Sequence, residues 1–373
     1  MRQDHNQFFS FKKNYWPKHK NSIIFNNIMN INLINMNQIK GQTRILFIYC
    51  TLSSFVKNDI DILNKHFNVK TIKWNGKKAI FKIAFEVFKS DLSFIWFAED
   101  HTAVSVFFSK LFRKKSVVIA GGYDVISLPE IGYGRFTYGR LRKFLTKYSL
   151  KNADIVLAVS NFVKKQTIEK IKVKEIKVVY NGIDTEKFKP TNKQKENIIV
   201  TIAMATENKY QIKGLETFAK ASIDFPNLSF VIIGKSDEII VKKLKNINPK
   251  LIFTGEITYD EVYNWLKKAK VYCQLSYIES FGMGVAEAMS CKSIPVVTNK
   301  GGLTEVVGDE GFYTPYGDEK TTIKSIKKAL KVSDLKSEKI RRRIIDKFQL
   351  KKREEELIKI IEELMLKRNF VFF

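Results

Sequence analysis

Cysteine is scarce: Cys50, Cys273 and Cys291 are all that 373 residues hold. No two form a C-x-x-C pair, and no histidine lies near them at zinc-site spacing. A disulfide framework is therefore not expected, which fits a reducing compartment. Long apolar runs are missing too. None reaches the roughly 18 to 20 residues that span a bilayer. The most apolar stretch, LSFIWFAEDHTAVSVFFSKLF, is broken by Glu99, Asp100 and His101. The start of the chain shows no compact apolar segment with a small-residue cleavage site. The expectation is a cytoplasmic protein, soluble or peripheral on the inner face of the membrane. No G-x-G-x-x-G, G-x-S-x-G or P-loop pattern occurs.

Acidic residues are outnumbered. Asp and Glu total 38 against 65 Lys and Arg, a formal charge of +27. Nucleic acid, an anionic membrane surface or phosphorylated substrates could account for such a balance. The lysines are spread along the chain, and Lys, Ile, Asn and Phe are abundant together, as an AT-biased codon composition would produce. Hydrophobic residues make up 45%, so a packed globular protein is expected. The length exceeds one ordinary core and suits two α/β domains.

Residues 1–42 are Asn-rich and hold no period for long. They read as an irregular extension, with translation starting at Met36 as one hypothesis. From Arg44 the pattern becomes regular. RILFIYC, VKTIKW, LSFIWFA, SVVIAGG, ADIVLAVS and IKVVYNG read as buried strands separated by helical stretches. A second series starts at NIIVTIAM and continues through LSFVIIG, LIFTG, VYCQLS and IPVVT. Alternation of this kind predicts parallel sheets flanked by helices. The polar stretch around Pro190 divides the two series into domains at 43–190 and 191–348. LKKREEELIKIIEELMLK then predicts a C-terminal amphipathic helix within 349–373, packed on a domain in preference to a membrane surface.

The richest stretch is SYIESFGMGVAEAMSCKSIPVVT, residues 276–298. It follows a predicted strand and leads into a helix, the place where open α/β sheets bind ligands. Gly282 and Gly284 allow close backbone approach. The helix start presents unpaired N–H groups and a partial positive charge, which suit a diphosphate. Glu279 sits in the loop and Glu287 about one and a half turns into the helix. Carboxylates there suit sugar hydroxyls better than phosphate, because like charges repel.

E-S-F-G-M-G-V-A-E-A-M resembles the E-x7-E motif of retaining GT-B glycosyltransferases, family four. GGLTEVVGDEGF (301–312), NGID (181–184), IKGLETFAKA (212–221), GGYD (121–124) and KNADIVLAVS (151–160) are similar to further segments of that family, in its order. The resemblance implies an α/β GT-B fold of two doubly wound, Rossmann-like domains facing across a cleft. It implies a nucleotide-sugar donor, a glycan or lipid-linked acceptor, retention of configuration, and no cofactor or metal. Glu287 would bind ribose hydroxyls and Glu279 the donor sugar. The amides of Phe281, Gly282 and Met283 would lie by the sugar and diphosphate, and Lys213 would offset the diphosphate charge. Catalysis falls to Glu279 and Lys213.

The chain departs from the family in two places. MATENKYQIKG lacks the Arg usual before the K-G pair, leaving Lys209 as its substitute, and the first loop, TLSSFVKND, lacks the usual glycines. Acceptor-side candidates are His101, Gly121, Gly122 and Asp124. Asn181 and Gly182 read as a hinge turn. Asp59-Ile60-Asp61 matches the D-x-D of metal-dependent transferases of the GT-A fold, but lies in a predicted helix and is set aside. The rival functions are a sugar phosphorylase or nucleotide-sugar epimerase in the same cleft, and a non-catalytic basic binding protein. Peripheral contact with an anionic membrane is compatible with the charge; no nucleic acid partner is expected.

Overall fold

The computed structural model describes residues 41–369, so the extension expected over residues 1–42 and the start at Met36 lie almost wholly outside the described residues. Two six-stranded sheets carry the chain. The first holds β1 (Arg44–Tyr49), β2 (Asn68–Lys73), β3 (Leu92–Trp96), β4 (Lys115–Ala120), β5 (Ile155–Ala158) and β6 (Ile176–Val178), in the order β2-β1-β3-β4-β5-β6. The second holds β7 (Glu196–Ile202), β8 (Ser229–Ile233), β9 (Ile252–Phe253), β10 (Ala269–Gln274), β11 (Ile294–Thr298) and β12 (Phe312–Thr314), in the order β12-β11-β10-β7-β8-β9. Neighbouring strands pair in parallel throughout both sheets.

The central strands explain themselves. LSFIW in β3 and IPVVT in β11 are buried at every position, as parallel strands covered on both faces require. The edge strand β2, NVKTIK, buries only Ile72. One strand is absent from the sequence expectations. Phe312–Thr314 follows a stretch that resembles a loop and helix, yet it pairs with β11 from Val296 to Thr298. Three residues are too few to show a period.

Each sheet reverses its winding once, between β1 and β3 and between β7 and β10. Crevices at such switch points bind ligands. The loop after β7 carries Lys213, and the loop after β10 carries Glu279.

The C-terminal helix Leu350–Asn369 returns to the first domain. Ile183 donates its amide to Phe348 O, and Leu350 donates its own to Ile183 O, so the chain crosses the interdomain linker at Gln349. The Arg353 guanidinium then grips Asp59 in a two-pronged ion pair at 2.6 and 2.7 Å. Its remaining nitrogen donates to the carbonyls of Val179 and Tyr180. Trp96 Nε1 donates to the same Asp59 carboxylate at 2.8 Å. Asp59 is fully buried and Arg353 nearly so. Setting Asp59 aside as a metal ligand agrees with this placement; its role as an anchor leaves no mark in the sequence.

A second tie joins the domains beside the cleft. Glu305 accepts from the backbone amides of Asn161 and Phe162, the opening residues of the helix Asn161–Ile168, at 2.8 and 2.7 Å. It also accepts from Tyr180 Oη at 2.9 Å. A carboxylate at a helix start satisfies orphan donors and complements the helix dipole. Glu305→Ala is expected to loosen the seating of the domains. Small-angle scattering should record a larger radius of gyration; an unchanged radius would contradict the assignment. Among the described residues no helix is long and apolar enough to cross a membrane.

Candidate active site

The turn after β7 ends at Lys213 and Gly214, pressed against the end of β10. The loop after β10 climbs through Ser276 to Glu279, then enters the helix Met283–Ser290 with Gly282 as its N-cap. Gly301 and Gly302 hold this loop from behind. Gly302 donates its amide to Glu279 O at 2.8 Å. A Cβ on Gly301 would lie 2.2 Å from that same oxygen, so a larger residue would push the loop out of place.

Three donors converge on one oxygen of Glu279. Lys213 Nζ forms an ion pair with Oε1, Gln274 Nε2 donates to it at 3.0 Å, and Ser276 Oγ at 2.9 Å. The carboxylate is thus fixed in direction, and Lys213 is drawn to the same space. Both side chains line a cavity of about 320 Å³ between the domains, along with the helix start at Gly282, Met283 and Gly284. Trp96, Phe97, Gly121, Tyr123 and Tyr133 form the opposing wall from the first domain. A neighbouring cavity of about 840 Å³ shares Tyr123 and Tyr133 and contains Lys209. Lys209 Nζ stands 5.4 Å from the Tyr133 ring centre. Burial pushes its pKa down, and the nearby Lys213 charge adds to that. An anion here would relieve the repulsion between the two ammonium groups.

Glu287 is placed differently. It is 4% exposed and does not line that cavity. The Tyr259 hydroxyl donates to its Oε1. Burial pushes the carboxyl up to about 7, against the lowering effects of Tyr259 and Lys187. So the two glutamates of the motif divide: Glu279 opens on the cavity, and Glu287 waits behind a tyrosine. Phe281 lines the cavity but is also buried, its ring 5.5 Å from the Phe348 ring and 6.2 Å from that of Tyr180.

Two acceptor-side expectations are corrected. His101 is fully buried. Its Nε2 meets Trp96 O at 2.8 Å and its Nδ1 meets Cys50 Sγ at 3.2 Å. Burial pushes its pKa down to about 4, so it stays neutral and inside. Asp124 is fully buried as well, accepting from the amides of Ala98 at 2.8 Å and Gly122 at 2.7 Å. It shapes the GGYD turn and presents no surface to a ligand. Gly121 does line the cavity. Gly122, at φ +114°, packs against Ser280 of the second domain, where a Cβ would lie 1.7 Å from Ser280 Oγ. No metal ligand set was expected. Among the described residues Cys50, Glu99 and His101 hold donor atoms within 4.8 Å of one another. Burial, reinforced by Glu99, pushes the Cys50 thiol up to about 12.

Some site residues are not visible in the sequence. Tyr259 opens the helix Tyr259–Lys268, behind a Thr258–Glu261 capping box. The box is legible in sequence, but the aromatic beside it gives no sign of a distant glutamate. Asn181, expected at a hinge turn, does more. It is 5% exposed, lines the cavity, and its Oδ1 has no hydrogen-bond partner. Buried polar atoms are rarely left unpaired, so an unpaired one on a cavity wall marks a place for a ligand donor.

Known proteins share the chain's sequence family and its fold. Residues 182–351 match the model for glycosyl transferases group 1, and residues 111–187 that for glycosyltransferase family 4. An uncharacterized glycosyltransferase of Methanocaldococcus jannaschii is 26% identical over 77% of this chain and 80% of its own length. A phosphatidylinositol N-acetylglucosaminyltransferase component of Arabidopsis thaliana is 24% identical over 57% of this chain. That match spans only 49% of the plant protein. Among solved structures, Anabaena HepE in complex with UDP and glucose superposes with a TM-score of 0.71 at 17% identity, covering 86% of this chain and 99% of HepE. Sucrose-phosphate synthase from Thermosynechococcus elongatus gives 0.70 at 16% identity, covering 87% and 100%. At such identities the likeness is one of fold.

Proposed function

Starting from a chain that belongs to the group 1 glycosyltransferases and has the GT-B fold, we propose that it transfers a sugar from a nucleoside diphosphate sugar to a glycan or lipid-linked acceptor, with retention at the anomeric carbon. The observation that carries this reading is the joint presence, on one cavity, of an oriented carboxylate, an ammonium group and a helix start. The diphosphate lies on the amides around Gly282. Lys213, with Lys209 behind it, neutralises the charge that grows as the diphosphate departs. Glu279, fixed through Oε1, holds sugar hydroxyls with its other oxygen. The acceptor enters past Tyr123 and Tyr133.

In the transfer step the bond from the anomeric carbon to the phosphate oxygen breaks, and the bond to the acceptor oxygen forms on the same face. The acceptor proton passes to the departing phosphate oxygen. Closure of the domains limits the competing attack by water. UDP is the favoured nucleotide, since HepE is solved with UDP and UDP-glucose, and several relatives are N-acetylglucosaminyltransferases by name. The acceptor belongs to surface-glycan or glycolipid synthesis. A relative of Salmonella typhimurium named as an O-antigen chain mannosyltransferase favours this setting.

A thermal-shift screen against UDP-, GDP-, ADP- and CMP-sugars tests the reading, because a ligand held only by the folded state raises apparent stability. A shift with one nucleotide class is expected; no shift with any would sink the proposal. Glu287 supplies a sharper probe. When Tyr259 yields, its carboxylate accepts the ribose hydroxyls, so Glu287→Ala should raise the donor Kd about ten- to hundredfold, the worth of charge-assisted hydrogen bonds. Its pKa of about 7 adds a pH signature. Donor affinity should climb between about pH 6 and 8 as the carboxylate ionises, and Glu287→Gln should flatten that climb. Stability should run the other way. The folded-state value lies above the ordinary 4.5, so the unfolded chain loses this proton first, and stability falls as pH rises towards 7. A flat affinity profile in the unmodified protein would remove Glu287 from the donor site.

A further inference from the structure

Three helices on one side of the first domain turn apolar side chains outward. The helix Ile80–Lys89 exposes Phe81, Phe85 and Phe88, spaced to lie on one stripe. Beside it, Asp100–Leu111 exposes Phe107 and Leu111, and Arg140–Asn152 exposes Leu141 and Phe144. All seven are more than half exposed; Phe81 reaches 86% and Leu141 69%. The stripes are continuous. The Phe88 ring meets Phe112 edge-on at 5.4 Å, and a groove of about 740 Å³ between the helices is lined by Ile80, Val104, Phe108, Leu145 and Tyr148. Soluble monomers rarely leave so large an apolar patch in water without a partner for it.

The charge around the patch says which partner. Residues 77–89 carry four lysines and one glutamate. The helix Arg140–Asn152 carries five basic residues and no acidic one. Lys77, Lys82, Lys89, Arg140, Arg142 and Lys143 are exposed. Two of the cations lie over aromatic rings of the same surface: Lys89 Nζ is 4.1 Å from the Phe85 ring centre, and Arg142 is 5.7 Å from that of Tyr138. Aromatic and aliphatic side chains ringed by cations match an anionic lipid surface, with the rings at acyl depth and the cations among headgroup phosphates. A protein partner would require acidic and apolar groups interleaved to the same pattern; a bilayer supplies both everywhere.

We propose that this face docks the first domain on an anionic membrane. One ion pair links the groove to the loop that forms the cavity wall. Trp74 and Asp100, which line the groove, follow the ends of β2 and β3, and Asp100 pairs with Arg135 in the loop that carries Tyr123 and Tyr133. A lipid-linked acceptor would then approach the cavity from the bilayer without leaving it. That last step rests on the proposed transfer reaction; the docking itself does not.

Flotation of the full chain with vesicles tests the proposal, using phosphatidylcholine alone and phosphatidylcholine with about one third phosphatidylglycerol. The protein should float with the anionic vesicles, not with the neutral ones, and should be released by salt. The variant F81E/F144E should lower the bound fraction about tenfold or more, and K82E/R142E should do the same by charge alone. Both variants should keep the melting temperature and the nucleotide-sugar affinity measured without lipid, which separates failure of docking from failure of the transferase reading. No flotation of the unmodified chain, or flotation of F81E/F144E equal to it, would overturn the proposal. So would a dimer that F81E/F144E turns into monomers, which would assign the face to a second copy.

Discussion

Lys213→Ala is expected to lower kcat/KM by about a hundred- to a thousandfold, roughly 2.7 to 4 kcal/mol of transition-state stabilisation. The reasoning is electrostatic. As the sugar leaves, negative charge accumulates on the diphosphate, and the helix amides supply only partial charges against it. Lys213 is the full charge held nearest, fixed by its pair with Glu279. Lys209 stands further out, with its ammonium form disfavoured by burial and by Lys213 itself. Removing Lys213 relieves Lys209 of that repulsion, so a residual rate should survive. The fold should survive too, because Glu279 keeps Gln274 and Ser276 as donors. Lys213→Arg should recover part of the loss, since it restores charge without restoring the geometry of a compact ammonium. Steady-state kinetics with the donor found in the thermal-shift screen measures both; a kcat/KM within about threefold of the unmodified enzyme would contradict the assignment.

Arg353→Ala should cost about 3 to 5 kcal/mol of stability, a large share of what a folded domain possesses. It leaves the Asp59 carboxylate fully buried with only Trp96 Nε1 as partner, and it orphans the carbonyls of Val179 and Tyr180. The helix Leu350–Asn369 would lose its anchor on the first domain. Glu354, bonded to His66 at 2.7 Å, and Lys177, bonded to Glu363 at 3.1 Å, lie nearer the surface and hold it less firmly. Denaturant unfolding followed by circular dichroism reads the loss. The double variant D59L/R353M should lose less than Arg353→Ala, because it strands no charge, although the Val179 and Tyr180 carbonyls and Trp96 Nε1 lose their partners. Equal losses in the single and double variants would show that packing, not the ion pair, holds the helix.

The two sheets were legible because their strands are unbroken apolar runs, such as LSFIW and IPVVT, a pattern that survives without any tertiary information. Glu279 and Lys213 were singled out by the resemblance of their segments to the family's motifs, and the structure places both on one cavity. What stayed hidden depends on distance along the chain. Asp59 meets an arginine 294 positions away, and nothing near either residue announces it. Glu287 shows its spacing in sequence but not the Tyr259 hydroxyl, 28 positions earlier, that covers it. His101 and Asp124 were acceptor-side candidates because each follows a predicted apolar strand. Their burial follows from neighbours that sequence does not place: Cys50 against the histidine, and the amides of Ala98 and Gly122 against the aspartate.

A crystal structure with a nucleoside diphosphate sugar bound bears on all of this at once. The diphosphate should lie against the amides of Phe281, Gly282 and Met283 with Lys213 within ion-pair reach, and the ribose should replace the Tyr259 hydroxyl on Glu287. A nucleotide seated elsewhere, with the Glu279 loop untouched, would refute the donor site.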